Sequence, residues 1–144
     1  MSRFHFNLER VLHWRASQLA SEEAKLRRLI EEESLLKSKL DSIWDTISGM
    51  PVHIAALAEI RGSDLNSMAA YRLQLMNERE RIAGLCREKK RNIVEQAEVH
   101  RTAKQRHRLL EELRSRRYQE WTMRMSRDLD ELAHDSYLAR WNTL

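Results

Sequence analysis

The chain has 144 residues, 33% of them charged and 42% apolar, with a formal net charge of +4. It holds only 3 glycines, 1 proline and 9 aromatic side chains (Trp 4, Tyr 3, Phe 2), too few turn-formers and strand-formers for a sheet protein. That leaves an all-α class built from long two-faced helices.

Apolar runs, such as 54–58, reach only four or five residues, far short of the roughly 20 needed to cross a bilayer. Residues 1–15 mix Arg3, Glu9, Arg10 and Arg15 with apolar side chains and show no secretory-signal pattern. Cys86, the single cysteine, can form no internal disulfide and sits most comfortably in a reducing compartment, so a cytoplasmic location is expected.

From Phe4 to about Ser48 the spacing predicts a coiled-coil helix. The stripe Leu8, Leu12, Arg15, Leu19, Glu22, Leu26, Leu29, Glu33, Leu36, Leu40, Ile43, Ile47 is apolar at nine of twelve seam positions. Such a helix would be roughly 67 Å long at about 1.5 Å per residue, longer than a small globule can bury. Gly49, Met50 and Pro51 are expected to end it, glycine as a left-handed cap and proline as a breaker. Residues 49–64 then form a turn with a short helix over Val52 to Ile60, and Ser63 or Asp64 caps the next element.

From Leu65 to about Trp141 there is no proline and one glycine, Gly84, so a single long helix is predicted. Leu65, Met68, Leu75, Ile82, Cys86, Ile93 and Ala97 form its stripe, which turns polar at His100, Ala103 and His107 and apolar again at Leu109, Leu110, Leu113, Trp121, Met125, Leu129 and Leu132. The fold expected is therefore a long antiparallel two-helix coiled-coil hairpin with a short connecting helix or loop, a single domain over 1–144. Pairing about a turn at 49–64 sets Phe4 near residue 109 and leaves roughly 32 residues of the second helix beyond it.

Chemistry is not legible in the sequence. His100 and His107 share a face but lie about 10 Å apart, too far to ligate one metal, and two polar residues in a seam read as register or loosening devices. There is no phosphate loop, nucleophile elbow, HExxH or CxxC pattern, so no catalytic, cofactor or metal site is expected. Cys86 reads as a small seam residue.

Charge is uneven. Residues 78–117 hold thirteen basic and seven acidic side chains, whereas 118–144 hold three and five. A basic block can bind phosphate backbone, but the order and base-reading pattern of a basic zipper are absent around Asn92. An acidic protein surface fits the block better than nucleic acid. Trp14, Trp44, Trp121 and Trp141 are either partner-binding anchors or gap-fillers at helix ends.

The opening stretch Phe4-His-Phe6-Asn-Leu8-Glu9-Arg10-Val11-Leu12-His-Trp-Arg15, followed by Glu22-Glu23-Ala24-Lys25-Leu26, resembles the N-terminus of FliJ-family proteins. Looser agreement extends to Tyr71, Leu73 and Leu75, to 109–114, to Tyr118 and to 128–133. The resemblance implies a non-enzymatic, chaperone-type stalk of the flagellar type III protein export apparatus. Such a stalk would associate with the export ATPase, contact the cytoplasmic domain of the export gate, handle export chaperones, and meet the inner membrane only peripherally. By analogy with rotary stalks, Leu8, Arg10, Val11 and Arg15 with Leu129, Leu132 and Ala133 would enter the ATPase ring, and Trp44, Ile47, Leu65 and Tyr71 would face the gate. The alternatives are the equivalent stalk of a virulence type III secretion system and a basic coiled-coil nucleic-acid-binding protein.

Overall fold

The computed structural model describes residues 3–57 and 59–142, and they form two long helices, α1 over Glu9–Ala55 and α2 over Gly62–Trp141. The all-α hairpin expected from the periodicity is what forms, with no strand among the described residues. No helix among them is long and apolar enough to cross a membrane. Contacts divide the chain into two compact units, Ser21–His100 and the flanking segments up to Ala20 and from Arg101.

Within the unit Ser21–His100 the helices run antiparallel. Lys89 Nζ donates to Glu32 at 2.5 Å, His100 Nε2 lies 3.2 Å from Glu23, and the Arg79 guanidinium sits over the Trp44 ring at 4.9 Å. Four buried side chains, Ile47 and Met50 from α1 and Ile82 and Cys86 from α2, form its core. The predicted α1 stripe is correct here: Leu26, Leu29, Leu36, Leu40 and Ile43 are all at least half-covered. So are its polar members, Glu22 and Glu33, which turn their carboxylates to Lys25 and Lys37. On α2 the stripe needs two corrections. Ala97 is exposed and Gln96 takes the inward position, while Leu65 lies outside the seam.

The turn differs most from expectation. α1 passes through Gly49, Met50 and Pro51 and continues to Ala55. Proline removes one ladder donor, but burial of Ile47 and Met50 on either side of Gly49 favours continuing the helix. No glycine among the described residues has positive φ, so Gly49 is not a left-handed cap. The connection shortens to residues 56–61, and Val52 to Ile60 is not a separate helix. α1 closes with Ala56 N–H donating to the Val52 and His53 carbonyls and Leu57 N–H to Ile54. The Arg61 carbonyl accepts from the Asp64 and Leu65 amides, so α2 begins at Gly62 and neither Ser63 nor Asp64 caps it.

In the other unit the chain enters α1 through a non-helical segment and a turn at Asn7 and Leu8, closed by the Glu9 amide donating to the Phe6 carbonyl, rather than by a helix from Phe4, and Phe6 is buried. Phe4 packs on Tyr118 and Trp121 with ring centroids 5.2 and 5.9 Å apart, and Arg114 Nε donates to Glu9 at 3.1 Å. The expected pairing of Phe4 with residue 109 is therefore displaced toward the C-terminus. The longer α1 contributes only part of this displacement, because α2 also begins earlier, at Gly62 rather than Leu65.

Glu22 links this packing to pH. Gln96 donates to its carboxylate, and that bond, with Lys25 and His100 nearby, holds the carboxyl below its ordinary value of 4.5. The unfolded chain thus binds the proton more readily, so the stabilisation is present above pH 4.5 and is lost as pH falls through the depressed folded-state value. Gln96→Leu should lower the melting temperature at about pH 7 and have a smaller effect at about pH 3. An equal effect at both, read by circular dichroism, would remove Glu22 from the account.

Candidate partner-binding surfaces

A two-helix pair covers one stripe per helix and leaves the rest of each to solvent, so the informative residues are large apolar ones facing outward. In the terminal unit, Leu8, Val11 and Trp14 stand outward on or just before the first turns of α1, Trp14 with 53% exposure. The Arg15 guanidinium stacks over the Trp14 ring at 4.6 Å, and Arg10, one turn back from Trp14, is exposed. Three of the seven residues assigned by analogy to the ATPase ring, Arg10, Val11 and Arg15, are thus helical neighbours of a tryptophan that the assignment omitted. Its signal was in the sequence: Trp14 is four residues after Arg10 and adjacent to Arg15, which puts aromatic and cationic groups on neighbouring faces. Leu129, Leu132 and Ala133 are exposed on α2.

This unit is strongly basic. Between Arg101 and Arg117 there are seven Lys or Arg residues and two carboxylates. Both carboxylates are engaged, Glu112 with Arg108 at 3.1 Å and Glu111 with His107 at 3.6 Å. Lys104, Arg106 and Arg116 are exposed with no carboxylate within ion-pair distance. The two carboxylates of this stretch therefore leave these three cations without a counter-charge.

The aromatic triad closing the unit was not foreseen. Tyr118 and Trp121 stack at 5.8 Å and 29°, with Phe4 edge-on to Tyr118. The Arg114 guanidinium lies 5.9 Å from the Phe4 ring centre. Trp121 is thus a packing residue as well as a surface one, and its buried Nε1 finds no hydrogen-bond partner.

In the unit Ser21–His100 the gate-facing assignment divides. Trp44, Leu65 and Tyr71 are about half exposed, Trp44 beneath Arg79. Ile47 has only 5% of its surface exposed. It belongs to the interhelix core, which corrects its assignment as a partner contact: a side chain covered by its own hairpin offers no surface to another protein.

Cys86 is buried in the seam. Among the described residues no group of three His, Cys, Asp or Glu side chains is placed to hold a metal ion. His100 and His107 each face a glutamate instead, Glu23 and Glu111. No protein-family model matches the chain, and no curated protein or solved structure matches it.

If the triad anchors the entry to α1, Phe4→Ala should cost about 1–3 kcal/mol and raise amide exchange in residues 9–16. Trp14→Ala should change stability by less than about 0.5 kcal/mol. Chemical unfolding with hydrogen exchange checks both, and equal losses would mean Trp14 is a packing residue.

Proposed function

We propose that the chain is a non-enzymatic stalk or adaptor of the flagellar type III protein export apparatus, similar to FliJ-family proteins. It would link the export ATPase ring to the cytoplasmic domain of the export gate and support the traffic of export chaperones. The observation that carries this reading is the way the opening stretch divides between the two faces of α1. Leu12 is half-covered, whereas Arg10, Val11 and Trp14 face outward. A motif needed only for packing would have no reason to present an arginine-flanked tryptophan to solvent, and Trp and Arg are the side chains that dominate protein–protein binding energy.

A protein of this kind contributes no covalent chemistry. Binding successive conformations of an ATPase ring unequally is enough to bias their populations, and reciprocity then couples hydrolysis to whatever the other contacts hold. The uncompensated cations from Lys104 to Arg116 support an acidic protein surface as the counterpart and would speed its encounter at low salt. Association with the membrane would be peripheral, through the apparatus. The stalk of a virulence type III system is the same reading with a different partner.

The test is association with purified export ATPase. Arg10→Ala together with Arg15→Ala should weaken it about tenfold or more while leaving the helical circular dichroism unchanged. Unchanged association would remove the N-terminal patch from the interface.

A further inference from the structure

α2 continues past the last point at which the N-terminal segment meets it. Phe4 contacts Tyr118 and Trp121, and after Met125 every described residue of α2 is exposed although the helix continues to Trp141. Residues 126–141 would span about 24 Å. A helix of that length has little stability of its own in water, where most helical stability comes from packing of an apolar face.

The seam does not stop with its cover. Trp121, Met125, Leu129 and Leu132 follow in steps of four, four and three, an eleven-residue spacing that keeps an apolar stripe on one face of a nearly straight helix. Trp121 and Met125 are half-covered, while Leu129 and Leu132 are 45% and 63% exposed. On a helical projection Asp128, Glu131 and Asp135 line one edge of this stripe. Among the described residues none of the three forms an ion pair: Arg124, one turn before Asp128, turns to Glu120 at 3.8 Å, and Arg127, one turn before Glu131, is not within ion-pair distance of it. In coiled coils the charges beside the seam select the partner.

We propose that the last turns of α2 bind a helix of another protein whose apolar stripe is edged by lysine or arginine, completing the seam in trans. The acidic edge decides among occupants. An anionic bilayer or a nucleic acid would be repelled by Asp128, Glu131 and Asp135. A second copy laid antiparallel on the same face would oppose carboxylate to carboxylate, and one laid parallel would set the acidic edge against Ser126, Ala133 and Tyr137, none of them cationic. A cation-edged helix covers Leu129 and Leu132 and neutralises the edge in the same contact. This deepens the proposal that Leu129, Leu132 and Ala133 meet a partner, and adds that partner's chemistry.

The probes are two labelled peptides of about twenty residues with identical leucine seams, one with lysine and one with glutamate beside the seam, titrated into the full chain by fluorescence anisotropy. The lysine peptide should bind about tenfold or more tightly than its twin, as three charge pairs at a partly covered edge would give, and should slow amide exchange in 126–141. Asp128→Lys, Glu131→Lys and Asp135→Lys together should reverse the preference, and Leu129→Ser with Leu132→Ser should weaken both peptides. Should the charge reversal reduce helicity, Asp128→Asn, Glu131→Gln and Asp135→Asn should abolish the preference instead. Equal binding of the two peptides, protection elsewhere in the chain, or protection of 126–141 by self-association alone would overturn the proposal. No ATPase is present, so failure here leaves the export reading intact, and loss of ATPase association would leave this one intact.

Discussion

In each unit two helices meet along one narrow stripe, and nearly everything else follows from that geometry. A helix in such a pair hides only the side chains that face its neighbour, and among the described residues only Phe6, Ile47, Met50, Ile82 and Cys86 are buried. Stability must therefore be drawn from many half-covered contacts rather than from a deep core. The same arithmetic explains the placement of polar residues. A glutamate or glutamine at the edge of a stripe can keep its head group in water or on a neighbour while its methylenes cover apolar surface. Glu22, Glu33 and Gln96 sit in this way, and a cross-helix bond such as Gln96 to Glu22 fixes register where leucine alone would tolerate slippage.

The parts of this fold that depend on periodicity were legible in the sequence. The α1 stripe from Leu12 to Ile47 needs only 3.5-residue spacing and enough leucine, and it faces inward as read. The turn was not legible, because it is a contest between a local and a tertiary term. Gly49 and Pro51 favour stopping, while continuing the helix carries Met50, three residues on from Ile47, into the same buried stripe. Sequence reasoning weighs the first and cannot see the second. The longer α1 carries only part of the displaced pairing of Phe4, since α2 also starts three residues earlier than expected, at Gly62 rather than Leu65. Ala97 and Gln96 show a subtler limit, since adjacent residues compete for one seam position and the four-residue step from Ile93 points to Ala97. Contact with Glu22 decided it for glutamine.

For candidate sites the legible signal was residue type, and the illegible one was direction. Trp14, Trp44 and Trp121 stand out in any composition count, yet Trp121 stacks within an aromatic triad while Trp14 points to solvent beneath a guanidinium. Ile47 shows the converse: a residue assigned to a surface by analogy is committed to the core. The charge blocks were readable from counting, but not the fact that both carboxylates among Arg101 to Arg117 are already engaged, which is what leaves Lys104, Arg106 and Arg116 to face outward uncompensated. Unpaired cations, an arginine-flanked tryptophan and a stripe continued past its cover are the features on which the proposed partner binding rests.

The central claim, that this hairpin works as a protein adaptor in flagellar type III export, is tested most directly by a tagged pull-down from native cytoplasm. The lysate is nuclease-treated and washed at moderate salt, and bound proteins are identified by mass spectrometry. The account predicts recovery of the export ATPase or the export gate protein. Recovery of neither, with nucleic acid retained in an untreated sample and released as salt rises, would contradict it and assign the basic face to phosphate binding.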